Sequence, residues 1–225
     1  MIETKQLVKS FQNGDVETTV LKGIDFAAQD GEFIAIMGRS GAGKSTFMYQ
    51  MSLLDEPTGG EVLVDGRPTD RMSQDEKARF RLKEFGYVFQ DYALLPELTA
   101  LENVALPLLM QGLSKQHAYK KSTEALERAG LGHRLHNLPS QLSGGEQQRV
   151  SIVRAVAHEP KILFADEPTA NLDNESSRII MDIFKDLHKN GQTIIMVTHE
   201  VEYAKGAERI IYLDDGKIVK ETKNP

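Results

Sequence analysis

No cysteine occurs among the 225 residues, which excludes disulfides, thiolate catalysis, zinc ribbons and iron–sulfur clusters together. Long apolar runs are missing too. Stretches such as Ile194–Val197 and Ala105–Met110 fall far short of the ~18–20 residues that a membrane-spanning helix needs. Met1 to Lys5 hold no apolar segment of the kind that leads a secretory signal, so a soluble chain is expected. Positive charge is not in excess: 27 Lys and Arg against 33 Asp and Glu leave a net charge of −6. That balance argues against indiscriminate nucleic-acid binding, whose affinity comes largely from neutralised phosphates, although a local basic patch is still allowed. Internal repeats, low-complexity segments and heptad runs are absent as well. The chain is 40% hydrophobic and 27% charged, an ordinary globular composition. Its length suits one large domain or two small ones.

Hydrophobic patterning divides the chain into three stretches. Ile2 to Val8 and Val20 to Phe26 alternate in part, with the turn signal Asn13-Gly14-Asp15 between them. Phe33 to Met37 is a short apolar run that suits a strand buried on both faces. A helix is expected to begin within the glycine-rich segment that follows and to continue through Leu53, before Pro57 and Gly59-Gly60. From Pro96 to about Asn137 the chain becomes rich in Leu and Ala at helical spacing, which reads as a helical insertion. After it a βα rhythm resumes: a helix over 146–158, a buried strand at Ile162–Ala165, an amphipathic helix carrying Ile179, Ile180, Ile183, Phe184 and Leu187, and a buried strand at Thr193–Val197. Short strands at Arg209–Leu213 and Lys217–Val219 close the chain. Buried strands alternating with amphipathic helices predict an α/β fold with a mostly parallel sheet.

Gly38-Arg39-Ser40-Gly41-Ala42-Gly43-Lys44-Ser45-Thr46 follows the first buried strand and opens a helix, the context that a P-loop requires. Gly41 and Gly43 let backbone amides, with those of Ser40 and Ala42, turn around phosphate oxygens. The helix N-terminus adds partial positive charge. Lys44 reaches the β- and γ-phosphates, the Ser45 hydroxyl can ligate Mg²⁺, and Thr46 is placed to help at a second phosphate. Asp166 and Glu167 end the strand that starts at Ile162. At the C-terminal edge of a parallel sheet, where ligands bind, Asp166 suits the outer shell of Mg²⁺ and Glu167 a general base for water. Leu142-Ser143-Gly144-Gly145-Glu146-Gln147-Gln148-Arg149 is a second small polar loop entering a helix. Ser143 with Glu146 three residues on reads as a capping box, but a cap alone does not call for two glycines, which cost helix stability.

With that loop in view the chain resembles the ATP-binding subunit of an ABC transporter. LSGGEQQR matches that family's signature motif, and the motifs follow in the family's order: P-loop, Gln90, Ser143-Gly144-Gly145-Glu146, Asp166-Glu167, Asn171-Leu172-Asp173, His199. The stretches 54–62 and 98–108 resemble the LolD/MacB/FtsE group, which serves lipoprotein release, macrolide or peptide export, or cell division; Ala170 and Ser52-Leu53 depart from that group's usual residues. The resemblance implies an α/β fold over 1–225: a P-loop NTPase core with a mostly parallel sheet, an antiparallel β subdomain, and a helical subdomain inserted at 93–140. It further implies that Phe11 stacks on adenine, Gln90 ligates Mg²⁺ and senses the insertion, His199 contacts the γ-phosphate, and Asp173 lies in a loop crossing a dimer interface. Glu167, His199 and Lys44 would be the catalytic groups. Two chains would pair head to tail around two Mg-ATP, with Ser143, Gly144 and Gly145 of one capping the nucleotide on the other. The implied partners are a membrane permease, at the cytoplasmic face of the inner membrane, and a periplasmic adaptor as a further candidate; nucleic acid is not expected. Regulation of cell-envelope enzymes, a non-transport ATPase of the same family acting on DNA or ribosomes, and an importer of amino acids or metals stay open as alternatives.

Overall fold

The computed structural model describes residues 1–224. In chain order the elements are β1 (Ile2–Asn13), β2 (Val16–Ala28), β3 (Phe33–Met37), α1 (Lys44–Met51), β4 (Gly59–Val64), β5 (Arg67–Pro68), α2 (Gln74–Glu84), β6 (Phe85–Val88), α3 (Ala100–Met110), α4 (Lys115–Arg128), α5 (Gly144–Val156), β7 (Ile162–Asp166), α6 (Asn174–Lys189), β8 (Thr193–Val197), α7 (Val201–Ala204), β9 (Arg209–Asp214) and β10 (Lys217–Lys223). They divide into two compact units, residues 1–79 with 187 onward and residues 80–186.

The first unit contains the four-stranded antiparallel sheet β2-β1-β4-β5. Its β1–β2 hairpin turns at the Asn13-Gly14-Asp15 signal, pairing Asn13 with Val16. Both strands are longer than the alternation predicts, because residues 11–19 are exposed throughout and carry no apolar period. The same unit holds β3, parallel to β8 through Phe33↔Ile194 and parallel to β9 through Ile34↔Arg209. β10 runs antiparallel to β9. β3 and β8 are buried at every position, which is why both read as uninterrupted apolar runs.

In the second unit β6 and β7 pair in parallel, from Phe85↔Ile162 to Val88↔Ala165. Helices α3, α4 and α5 share an apolar core that includes Val104, Leu108, Ala118, Leu126 and Val150. Helix α3 starts at a capping box, with Thr99 accepting from the Glu102 amide; Leu98, expected inside the helix, precedes the cap. The 93–140 stretch lies within this unit. The α5 helix begins at Gly144, two residues earlier than the apolar stripe indicates, since the cap rather than the stripe sets its start. The patterning did not reveal α2, of which only Lys77 is buried. A polar helix leaves no period to read.

Asn103 is fully buried on α3 and holds the loop before it. Its Oδ1 accepts from the Leu95 amide at 2.8 Å, and its Nδ2 donates to the carbonyls of Leu95, Leu98 and Thr99. Replacing it by Ala removes the partner of the Leu95 amide and of the Leu98 carbonyl, whereas the Leu95 and Thr99 carbonyls keep the amides of Leu98 and Asn103. Each polar group left unpaired costs about 1–3 kcal/mol. The expected loss in Asn103→Ala is about 2–4 kcal/mol, read from the urea midpoint; a loss below about 1 kcal/mol would show that water replaces the amide.

Candidate nucleotide site and signature loop

In the first unit the glycine-rich loop leaves β3 at Gly38. A Cβ added there would lie 2.2 Å from the Leu213 carbonyl oxygen of the neighbouring β9, so close backbone approach demands a glycine. Gly41 and Gly43 have φ of +78° and +97°, the left-handed region open to glycine at no steric cost. At Gly41 nothing lies within 4 Å of an added Cβ; its backbone conformation alone explains the residue. Lys44 is 9% exposed and folds back over the loop, with Nζ donating to the carbonyls of Gly38 at 3.1 Å and Arg39 at 3.2 Å. Ser45 and Thr46 are half-buried in the first turn of α1, Ala42 is buried, and Arg39, Ser40 and Gly41 face solvent.

The start of α1 is unusual in its charge. Its N-cap, Gly43, offers no side chain, and the first turn holds no acid and begins with Lys44. A cation at the positive end of a helix dipole is unfavourable by itself, and an anion placed there reverses the balance. α3 and α5, by contrast, start with capping boxes whose glutamates lie in the first turn. The residues at 38–46 thus fit a bound phosphate group. Elsewhere in this unit Phe11 is 40% exposed on β1, not in a core, with Lys9 Nζ 5.0 Å from its ring centroid. The Lys9 ammonium is itself held by Asp55 Oδ1 at 2.8 Å. His199 is exposed two residues beyond the end of β8.

In the second unit β7 delivers Asp166, 6% exposed, at its last position. Glu167 follows with φ of +47°, although it precedes Pro168, which normally holds the preceding residue in extended backbone. Such a conformation costs on the order of 1–3 kcal/mol and recurs where geometry serves chemistry. Asn171 Nδ2 donates to the Gln90 carbonyl at 3.0 Å. Gln148, fully buried on α5, donates to the carbonyls of Pro168 at 2.7 Å and Phe89 at 3.4 Å. The exposed Gln90, the turn after Glu167 and the signature helix are thereby tied together. Asp173 accepts from the amide and hydroxyl of Ser176, which hold its carboxyl below the usual range, the backbone bond contributing most.

The signature loop is built on its cap. Ser143 Oγ accepts from the Glu146 amide at 3.3 Å, and Glu146 Oε2 accepts from the Ser143 amide at 2.8 Å. The cap uses a lone pair of the hydroxyl and leaves its proton for donation. Arg134 Nε donates to Glu146 Oε1 at 2.8 Å. The structure also explains the double glycine. A Cβ on Gly144 would meet Tyr92 Oη at 2.9 Å, and one on Gly145 would meet Ser176 Oγ at 2.7 Å. A side chain at either position would have to displace that neighbouring hydroxyl. Tyr92, Gln148, Arg154, Ser176 and Arg134 escaped the sequence reading. Gln148 lies inside the recognised motif, but nothing in the local sequence marks the others.

Residues 21–170 match the ABC transporter family. An uncharacterized ABC transporter ATP-binding protein of Methanocaldococcus jannaschii is 51% identical over 98% of both chains. The lipoprotein-releasing system ATP-binding protein LolD of Aquifex aeolicus is 48% identical over 90% of both. The macrolide export ATP-binding/permease protein MacB of Aggregatibacter actinomycetemcomitans is 45% identical over 99% of this chain, which spans 35% of MacB's length. Among solved structures, the ATP-binding cassette MJ0796, a dimer in a post-hydrolysis state with ADP and Pi, superposes with a TM-score of 0.94 at 41% identity, covering 100% of this chain and 99% of that one. A phosphate-binding loop on a mostly parallel α/β core defines a P-loop nucleotide-binding protein. The chain belongs to the ABC transporter family, as one of its ATP-binding, ATP-hydrolysing domains.

Glu146 offers a test of the cap. Its bond from the Ser143 amide, aided by Arg134, holds its carboxyl below the ordinary range. A depressed folded-state pKa gives stability that is complete above the unfolded value and is lost as pH falls through the folded one. Glu146→Gln keeps the cap's acceptor but not its charge, so it should cost about 0.5–1 kcal/mol at pH 7. That gap should narrow as the pH is lowered through the carboxylate range, in parallel urea titrations of both chains. A pH-independent gap would assign the loss to packing.

Proposed function

We propose that this chain is the ATPase subunit of a membrane exporter of the LolD/MacB kind, working as a head-to-tail homodimer at the cytoplasmic face of the membrane. One observation carries the reading. The chain offers two helix starts of opposite design: α1 has an uncapped glycine N-terminus with Lys44 in its first turn, and α5 is self-capped with small residues at its tip. The first suits the phosphates of a nucleotide held by its own protomer. The second suits the outer side of a nucleotide held by another protomer, because Ser143 keeps a hydroxyl proton and Gly144 and Gly145 present backbone with no side chain in the way.

In this reading Phe11 stacks on adenine, the amides of 38–43 surround the phosphates, and Lys44 pairs with the β- and γ-phosphates. Ser45, Gln90 and Asp166 supply a hydroxyl, an amide oxygen and a carboxylate, the hard oxygen donors that Mg²⁺ favours alongside phosphates. Mg²⁺ held by these groups would supply positive charge against the phosphates. Glu167, turned by its left-handed backbone, accepts a proton from the attacking water. His199 donates to the γ-phosphate, and Asp173 lines the subunit interface. ATP touches two protomers and ADP holds them less well, so the closed dimer is favoured by triphosphate and released by hydrolysis.

No helix among the described residues is long and apolar enough to cross a membrane; in this reading the work of closure passes to a membrane-spanning permease. LolD, similar over nearly its whole length, supports a separate permease subunit. MacB, named as ATP-binding and permease protein together, supports the same pairing in fused form. The residues of 93–140 would carry the permease contact.

Glu167→Gln is expected to bind Mg-ATP and to lower kcat by at least ~10²-fold, the usual contribution of a general base. It should also accumulate as a dimer in light scattering. Turnover at the native rate would remove Glu167 from this role. Ser143→Arg should keep the affinity of the isolated protomer for ATP while abolishing the dimer in the Glu167→Gln background. An ATP-dependent dimer surviving that change would refute the capping role.

A further inference from the structure

Residues 91–94 follow Gln90 and have no part in the roles assigned above. Their backbone is exceptional: Tyr92 and Ala93 are consecutive non-glycine residues with φ of +64° and +46°. L-residues avoid the left-handed region, and two in a row persist only where the surroundings hold them. The Tyr92 and Ala93 amides donate to the Phe89 and Asp91 carbonyls within the turn, and the group that holds them from outside it is Arg154 on α5. Its Nη1 donates to the Ala93 carbonyl at 2.5 Å and its Nη2 to the Tyr92 carbonyl at 3.0 Å. A planar guanidinium can take two adjacent carbonyls at once in fixed geometry, which a lysine ammonium does not reproduce.

The same helix grips the chain a second time just before Gln90, where Gln148 donates to the Phe89 carbonyl at 3.4 Å. Tyr92 in turn reaches the other end of α5, its hydroxyl occupying the space that a Cβ on Gly144 would need. Ser143 and Arg154 are about 16 Å apart along the helix, at 1.5 Å per residue. Arg154 therefore acts at a distance from the capping loop. The backbone that it locks carries the ring that bounds that loop.

We propose that Arg154 is a positioning residue, which by locking Tyr92 and Ala93 keeps the Tyr92 ring against Gly144, so that the segment after Gln90 and the capping loop Ser143–Gly145 move as one body. The inference rests on the functional reading above, in which that loop closes on a partner's ATP. Without the clamp, residues 92–93 relax to ordinary backbone and the ring leaves Gly144. The capping loop then loses its register, while the phosphate loop of the same protomer is untouched.

The test uses Arg154→Met, Arg154→Lys and the double variant Arg154→Met/Ala93→Gly in this chain. Four quantities are measured: the melting temperature, the affinity of the isolated protomer for a fluorescent ATP analogue, kcat, and ATP-dependent dimerisation in the Glu167→Gln background. In Arg154→Met we expect analogue affinity within about twofold of native. Both kcat and dimer affinity should fall about tenfold or more, the scale of a lost charge-assisted hydrogen bond. Arg154→Lys should fall between the two. Glycine at 93 relieves the left-handed backbone and should raise the melting temperature of Arg154→Met without restoring kcat. Native kcat and dimer affinity in Arg154→Met would overturn the proposal, as would recovery of kcat together with melting temperature in the double variant. If Arg154→Met does not fold, Arg154→Lys decides, a folded protein with native kcat overturning the proposal. A native chain that neither hydrolyses ATP nor dimerises with it would instead overturn the functional reading, and the inference with it.

Discussion

The amides of a helix's first turn have no partners within the helix, and this chain meets that need in two ways. α5 satisfies it internally, with the Ser143 hydroxyl and the Glu146 carboxylate exchanging bonds with each other's amides. α1 does not: glycine stands at its cap and a lysine in its first turn. A helix capped from within keeps its shape whatever approaches it. One without a capping side chain keeps its strongest field for an outside anion. A lid and a cradle can therefore be made from the same secondary structure, distinguished by a serine and a glutamate in one and their absence in the other.

Glycine acts at these loops through two separate physical effects. At Gly41 and Gly43 the backbone lies in the left-handed region, and conformational freedom is the reason for the residue. At Gly38 the reason is space, with the Leu213 carbonyl standing where a Cβ would be, and at Gly144 and Gly145 a Cβ would have to displace the Tyr92 and Ser176 hydroxyls. The two cases respond differently to substitution. A strained backbone raises the energy of the loop itself, whereas a steric clash moves a neighbour, and at Gly144 that neighbour belongs to the segment after Gln90.

Within the second unit, α5 is the element on which the functional segments converge. Gln148 bonds the carbonyls that follow Glu167 and precede Gln90. Arg154 holds the two residues beyond Gln90's neighbour Asp91, and Ser143 heads the helix. Side chains donating to main-chain carbonyls position a backbone more firmly than side-chain pairs do, since a carbonyl has no rotamer of its own. The buried Gln148 Oε1 has no partner among the described residues. That is the cost of placing an amide where only its donors are needed.

Much of this was legible in the residues. The buried strands β3, β7 and β8 are continuous apolar runs, the phosphate loop and the LSGG loop are contiguous motifs, and the Ser143–Glu146 box follows from three-residue spacing alone. Patterns of this kind are local, because they arise from backbone periodicity and from groups a turn apart. The polar helix α2 and the exposed end of the β1–β2 hairpin left no period and were not read. The positive φ at Glu167, Tyr92 and Ala93, the hydroxyls that stand against Gly144 and Gly145, and the reach of Arg154 to residues 61 and 62 positions away came only with the folded chain. Each is a relation between backbone segments remote in sequence, and a linear pattern holds no record of which carbonyl a distant guanidinium will meet.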